Sequence, residues 1–385
     1  MYRLGIIGCG SRMSGLLPHF RHEGLTIAAV ADPRVGDMQE KFGAAAVVCS
    51  SDSTEHDSQL VALYPDAESM LASERLDGIC IGTRCSLHTP MALLAGRCGI
   101  PIFIEKPVST SWEQLKALSE LLPSSESIVV SFPLRRSAIA ETVKQIVDSG
   151  ELGEIEHIQA WNNVFYGRGY YKKWYRDDSE TGGLFLQKTT HDFDYISYLL
   201  GDRKPVRLCA VESKQIYKGD MPAGQRCADC TRQRECPESP KNLERAGEPP
   251  NGEYCCFALD TGNQDSGSVI IEYDTGMHVV YSQNFFVRKG AGSRGARLMG
   301  YRGTLEFDFN TNKIEVWKHF EDKHYTIDVG SGGGHSGGDT RLCENFAGVV
   351  RGEEKSLTTL ADGIASARLC LAARDSAREH RFVEV

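Results

Sequence analysis

From Arg3 to Glu105 the chain alternates short, almost wholly apolar runs with stretches of helical spacing. That alternation limits the possible folds more than any other feature. Residues 3–8, 25–31, 78–82 and 101–105 read as strands, and residues 90–95 (PMALLA) as part of a helix between two of them. A strand that is apolar on both faces must be covered on both, and helices crossing over between parallel strands do this. With residues 127–132 (SIVVSF) as a further strand, this part is expected to form a doubly wound α/β domain.

Beyond residue 133 the pattern changes. Residues 139–149 and 183–200 read as helices, each stopped by a glycine, Gly150 and Gly201. Longer alternating segments follow at 155–161, 206–215, 268–273, 278–286, 303–308, 313–317 and 324–329. Alternation between turns predicts an open, mainly antiparallel sheet with one face solvated or turned to another subunit. Helices at 340–350 and 360–378 close the chain and can pack back on the first domain. A chain of 385 residues holds two or three domains at about 100–200 residues each. We expect a nucleotide-binding domain over 1–125 and a second domain over 126–385, with a polar, cysteine-rich insertion at 221–256.

Charge and hydropathy exclude several classes. A net charge of −9 does not suit nucleic acid, which binds basic faces. No apolar run of about eighteen residues offers a membrane span. Met1-Tyr2-Arg3 leads straight into an apolar strand, from which a cytoplasmic protein is expected.

Gly8-Cys9-Gly10-Ser11-Arg12-Met13 stands where the first strand should turn into a helix. The first glycine permits the tight turn. The second lets backbone approach a pyrophosphate at the helix N-terminus, where unpaired N–H groups favour anions. The third glycine of this fingerprint is replaced by Met13. Asp32 lies 24 residues after Gly8, at the end of the second strand, where a carboxylate would bond the ribose hydroxyls. Asp32 would repel a 2′-phosphate, so NAD is expected over NADP, although Arg34 nearby suits NADP. Glu105-Lys106-Pro107 leaves another strand at its carboxyl end, where ligands of such sheets lie.

Taken in order, the glycine turn, Asp32, the segment from Thr83 to His88, Glu105-Lys106-Pro107, and Gly182-Gly183-Leu184 with His191 resemble the Gfo/Idh/MocA oxidoreductases, named after glucose–fructose oxidoreductase and inositol dehydrogenase. The resemblance covers essentially the whole chain. It implies a Rossmann domain followed by an α/β domain whose sheet builds dimers or tetramers. It places Thr83, His88, Glu105 and Pro107 around the cofactor, Lys106 on the reacting hydroxyl beside the nicotinamide, and His191 over the reacting carbon. It also implies Asp four residues before that histidine. Here the position is Gln187, which cannot accept a proton, followed by Lys188. Lys188 and His191 share a helical face, so Lys188 would serve as a charged substrate ligand, as a base, or as a solvated helix lysine.

Tyr166, Arg168, Trp174 and Arg176 belong to a stretch of cations among aromatics. Aromatic faces pack on sugar rings and arginines bind anions in pairs of hydrogen bonds. The stretch therefore suits a sugar or glycoside, including an anionic one, or else a solvated rim. Arg135 and His335 are further pocket candidates. Of 13 cysteines, Cys227, Cys230, Cys236 and Cys255 supply four thiolates for a structural zinc, with free thiols or a disulfide as the alternatives.

Two activities fit. In a dehydrogenase, a sugar or polyol hydroxyl gives its proton toward Lys106 and His191 and its carbon gives hydride to NAD+. In an NAD-dependent glycosidase, the same oxidation acidifies a neighbouring C–H, a base expels the anomeric substituent, water adds and the hydride returns. A non-catalytic nucleotide-binding regulator would need neither Lys106 nor His191.

Overall fold

The parallel strands expected from the apolar runs are present, and two more join them. The computed structural model describes residues 2–49, 60–330 and 334–385. Strands β1 (Tyr2–Ile7), β2 (Leu25–Ala31), β3 (Ala46–Val48), β4 (Val61–Tyr64), β5 (Gly78–Ile81), β6 (Ile102–Ile104) and β7 (Ile128–Val130) form a parallel sheet in the order β3-β4-β2-β1-β5-β6-β7. The sequence reading lacked β3 and β4. β3 is three residues long and half exposed, so it carries little apolar signal. β4 is only four residues, too short to set a period of its own. The chain leaves β1 for β2 on one side and has β5 on the other, so the strand order reverses at β1. A crevice at the carboxyl ends is the ligand position of such sheets. Gly8, Asp32, Gly82 and Glu105 all follow their strands at that end.

The chain divides into two units. The first comprises Met1–Glu141 and Ser331–Arg368, the second Thr142–Gly330 and Leu369–Val385. Two of the divisions fall inside helices, Ala138–Asp148 and Leu360–Glu379. In the first unit the late helix Gly338–Arg351 packs into the same core as β1. Phe20, Phe103 and Phe346 meet edge to face at 5.4–5.8 Å between centroids. Burying one such ring is worth about 1.5–3 kcal/mol.

The second unit holds β8 (Ile155–Asn163), β9 (Pro205–Ser213), β10 (Ser266–Tyr273), β11 (His278–Asn284), β12 (Ser293–Gly300), β13 (Gly303–Asp308), β14 (Lys313–Lys318), β15 (His324–Asp328) and β16 (Val383–Glu384), ordered β15-β14-β13-β12-β8-β11-β10-β9-β16. The sheet is mixed, because β8 and β11 run parallel, His278 opposite His157 through Asn284 opposite Asn163. Burial alternates along the strands, and Val211 and Ile270 remain exposed on one face. The other face carries a helix: Phe193 meets Tyr281 at 5.4 Å, and Tyr195 meets Phe309 at 5.2 Å.

That helix departs from expectation. The single helix foreseen over 183–200 begins instead with a π turn, Phe185–Thr189, and becomes α-helical at Thr190–Leu200. A π turn shifts the side chains that precede it around the axis, and such turns are frequent at functional sites.

Candidate active site

In the first unit, Gly8 sits at φ +78°, and a Cβ there would lie 2.8 Å from the Thr83 backbone. Only glycine fits. The missing third glycine of the fingerprint also has an explanation. Met13 is fully buried, and a Cβ on Gly82 would meet Met13 Cβ at 2.9 Å. The close helix–strand approach that a helical glycine normally permits is provided here by a glycine on the facing strand end.

The residues present fit a dinucleotide. Helix Ser11–His22 begins at Gly10 with no side-chain cap, so its first N–H groups are left for another acceptor. Nothing lies within 4 Å of where a Gly10 Cβ would point, and Ser11 is exposed beside it. Asp32 is buried at the end of β2 and accepts from Cys9 N at 3.1 Å, from Arg34 N at 3.0 Å, and from the Arg34 guanidinium through both Nε and Nη2 at 3.0 Å. Burial alone would raise the Asp32 pKa, but these bonds to Arg34 outweigh it and hold the carboxyl below its ordinary value. Arg34 is thus turned onto the carboxylate. Lys41, which no sequence signal marks, donates to Cys9 O at 3.0 Å and so adds a cation at the glycine turn.

Arg12 ties three segments together. Its Nε donates to Glu105 Oε1 at 3.0 Å, and Nη1 and Nη2 reach Asp339 at 2.9 and 2.7 Å. Ser131 Oγ donates to the same Glu105 oxygen at 2.9 Å, and His335 Nδ1 lies 2.9 Å from Asp339 Oδ2. Burial opposes the Asp339 charge, yet the bonds to His335 and Arg12 hold this carboxyl far below its ordinary pKa. Residues 331–333 of the glycine-rich stretch lie outside the described residues.

His88, expected at the cofactor, uses both ring nitrogens on backbone carbonyls, Pro107 O at 2.7 Å and Thr83 O at 3.2 Å. It straps the turn after β5 to the turn after β6. Burial pushes its pKa down, against the pull of those carbonyls. The half-buried Lys106 precedes Pro107 across a cis peptide. Arg135, expected in a pocket, is buried against Asp362 at 3.2 Å and against the Phe132 ring.

In the second unit, Lys188 and His191 are both buried, 5 % and 6 % exposed, as is Gln187. The Lys188 ammonium donates to the Tyr166 hydroxyl and lies 4.8 Å from the centre of that ring. Burial lowers the Lys188 pKa. Asp192, which sequence reasoning passed over, accepts from Arg294 Nε at 2.7 Å, Asn162 Nδ2 at 2.9 Å and Tyr281 OH at 2.9 Å. Asn162 and Tyr281 stand on neighbouring strands β8 and β11, and Arg294 on β12, so only the sheet brings them to this helix.

The remaining residues of the basic aromatic stretch are used differently. Arg168 is 2 % exposed and ion-paired with Glu248; Arg176 is 5 % exposed, ion-paired with Asp260 and bonded to Thr261 Oγ1 at 3.1 Å. The wholly buried Lys172 donates to Glu238 O at 2.6 Å. Their partners belong to the polar insertion or adjoin it, so these cations fasten it to the domain. Trp174 stacks on Tyr175 at 4.0 Å.

The four cysteines of the zinc expectation, Cys227, Cys230, Cys236 and Cys255, form no disulfide, and among the described residues no group of three His, Cys, Asp or Glu meets as a metal set. The insertion is held by its ion pairs and by an apolar cluster of Tyr171, Tyr217, Cys256 and Phe285. Burial raises the Cys227 and Cys255 pKa values, and the neighbouring Cys230 and Cys236 add to the rise in both.

Comparison with known proteins bears on the family and the fold. YteT of Bacillus subtilis is 25 % identical over 321 residues, covering 72 % of this chain and 74 % of that protein. The scyllo-inositol 2-dehydrogenase (NAD(+)) of Bacillus subtilis is 31 % identical over 145 residues, which are 35 % of this chain and 39 % of the relative. A levoglucosan dehydrogenase solved with NADH and levoglucosan shares the fold with a TM-score of 0.76 at 16 % identity, covering 100 % of this chain and 99 % of that one. Among the described residues no helix is long and apolar enough to cross a membrane. The profile of the oxidoreductase family with an NAD-binding Rossmann fold matches residues 2–132, and that of the Gfo/Idh/MocA C-terminal domain matches residues 140–306. The chain belongs to the Gfo/Idh/MocA family of NAD-dependent oxidoreductases.

Proposed function

We propose that this enzyme oxidises a hydroxyl of a sugar or polyol, with Lys106 and His191 handling the proton. The observation that carries the reading is Glu105-Lys106-Pro107 at the carboxyl end of β6, with Glu105 bonded through Arg12 to the start of the cofactor helix. That position supports Lys106 as a ligand-facing residue, since ligands of such sheets bind beyond the carboxyl ends of the strands. Bound NAD+ supplies the hydride acceptor; the protein supplies binding, orientation and proton transfer. The Lys106 ammonium would hold the substrate oxygen and stabilise the charge that develops as its proton leaves. His191, its ring kept from bulk water by burial, would be part of the path by which that proton leaves.

The inositol and levoglucosan dehydrogenases among the relatives support a polyhydroxylated substrate. Arg168 and Arg176 are occupied by Glu248 and Asp260, so neutral sugars and polyols come first on the list of candidates. The exposed sheet face with Val211 and Ile270 supports a contact between subunits, which sedimentation tests.

The deciding assay mixes purified protein, NAD+ and a panel of free polyols, sugars and p-nitrophenyl glycosides, and follows NADH and nitrophenol together. We expect NADH to accumulate in step with substrate consumed. Nitrophenol release that requires NAD+ yet leaves no net NADH would replace the dehydrogenase with the redox-cycling glycosidase.

A further inference from the structure

Tyr166 combines two properties that a side chain serving only as a sugar platform does not need. It is 44 % exposed, so its ring is open to a ligand. Its hydroxyl nevertheless accepts a hydrogen bond from a lysine that is itself 5 % exposed. An enclosed ammonium has few ways to satisfy its charge, and here its recorded partner is a phenol.

The charges around that phenol are unequal. Lys188, Arg294 and Asp192 face it, and the ring of Tyr170 stands 6.5 Å away. Asp192 is already matched by Arg294 at 2.7 Å. Arg294 is 8 % exposed, and its buried Nη2 has no hydrogen-bond partner among the described residues. Two cations against one carboxylate leave a positive surplus at the Tyr166 oxygen.

We infer that Tyr166 is a further acid–base group of this enzyme, accepting a proton from the substrate hydroxyl as a phenolate, with Lys188 as the residue that positions and charges it. The inference rests on the dehydrogenase reading above. The substrate O–H bond breaks and its proton joins the phenolate oxygen; the electron pair left on the substrate oxygen forms the carbonyl as the C–H bond at that carbon breaks and its hydrogen leaves as hydride. The oxidant is the NAD+ of the proposed reaction. The phenol then releases its proton to solvent along the exposed edge of the ring. Desolvation of its hydroxyl by itself would raise the Tyr166 pKa, but Lys188 and Arg294 outweigh it and bring it below the ordinary tyrosine value. Lysine and tyrosine ionise as a pair, so a measured value belongs to both.

The test starts without substrate. Phenolate absorbance of the wild-type protein, minus that of Tyr166→Phe, isolates this one tyrosine during a pH titration. We expect ionisation below pH 10, the ordinary value, and a rise of about one unit or more in Lys188→Met. With the best substrate of the panel, Tyr166→Phe should lower kcat about 100-fold, leave NAD+ affinity unchanged, and remove the matching limb of the pH–rate profile. A tyrosine that ionises at or above pH 10, and does so equally in Lys188→Met, overturns the pairing. Retention of kcat within about threefold in Tyr166→Phe overturns the catalytic role. If no alcohol in the panel is oxidised, the proposed function fails, while the substrate-free titration still decides the Tyr166–Lys188 pair.

Discussion

Each unit places an arginine beside its functional segment, and the two arginines are balanced in opposite ways. In the first unit Arg12 is shared by two carboxylates, Glu105 and Asp339, and Asp339 also takes His335. In the second unit Arg294 meets one carboxylate, Asp192, and Lys188 adds a second cation. Negative surplus around an arginine locks it, because every donor finds an acceptor. Positive surplus around a phenol favours giving up its proton. The first arrangement suits holding a turn in place and the second suits moving protons.

Four changes break or sharpen that contrast. Lys106→Ala should have the largest effect, lowering NADH formation by about 10²–10⁴ with an unchanged circular dichroism spectrum. Retained turnover would move the chemistry away from the Glu-Lys-Pro turn. Asp192→Asn comes next. It leaves the buried Arg294 charge unmatched and should cost about 3–5 kcal/mol in urea unfolding. Asp192→Asn combined with Arg294→Met should recover most of that loss; if it does not, Asp192 matters for more than its charge.

Arg12→Ala should cost less, about 1–2 kcal/mol, because a third of its side chain is open to solvent. It should also weaken NAD+ binding, measured by calorimetry. The sign of the acid dependence follows from Asp339. Its folded pKa is depressed, so its contribution is present above the ordinary aspartate value of about 3.9 and is lost as pH falls below it. The acid limb of wild-type stability should therefore be steeper than that of Arg12→Ala.

The smallest effect belongs to His88. Its folded pKa is lowered, so its contribution is full above the ordinary histidine value of about 6.5 and declines as pH falls through it. His88→Asn should flatten thermal stability between about pH 5 and pH 7. A wild-type midpoint that is already flat in that range would mean the two carbonyls, not burial, govern the ring.

Much of the first unit was readable because its signals are local. A glycine turn, an acidic strand end and a Glu-Lys-Pro exit each occupy a few adjacent residues, and fully buried parallel strands cannot be mistaken for alternating ones. His88 illustrates the limit. It was expected around the cofactor together with Thr83 and Pro107, and both of its nitrogens serve backbone carbonyls of those two residues. Arg176 illustrates it more sharply, since its carboxylate partner is 84 residues away. A cation looks free in a sequence until the chain brings its anion to it. The four cysteines of the insertion illustrate it too, because cysteine spacing says which thiols are near in sequence and nothing about where their side chains point.

The sequence by itself determined the kind of fold and the cofactor class: apolar periodicity dictates which strands are covered on both faces, and Gly8 admits only a residue without Cβ. It also marked Lys106, Lys188 and His191 as residues worth following. Only the tertiary structure decided which charges are occupied and which remain for chemistry. Lys188 on Tyr166, Asp192 on Arg294 and Arg12 between Glu105 and Asp339 are pairings across distant segments. Their strength comes from burial, a property no residue has until the chain has folded around it.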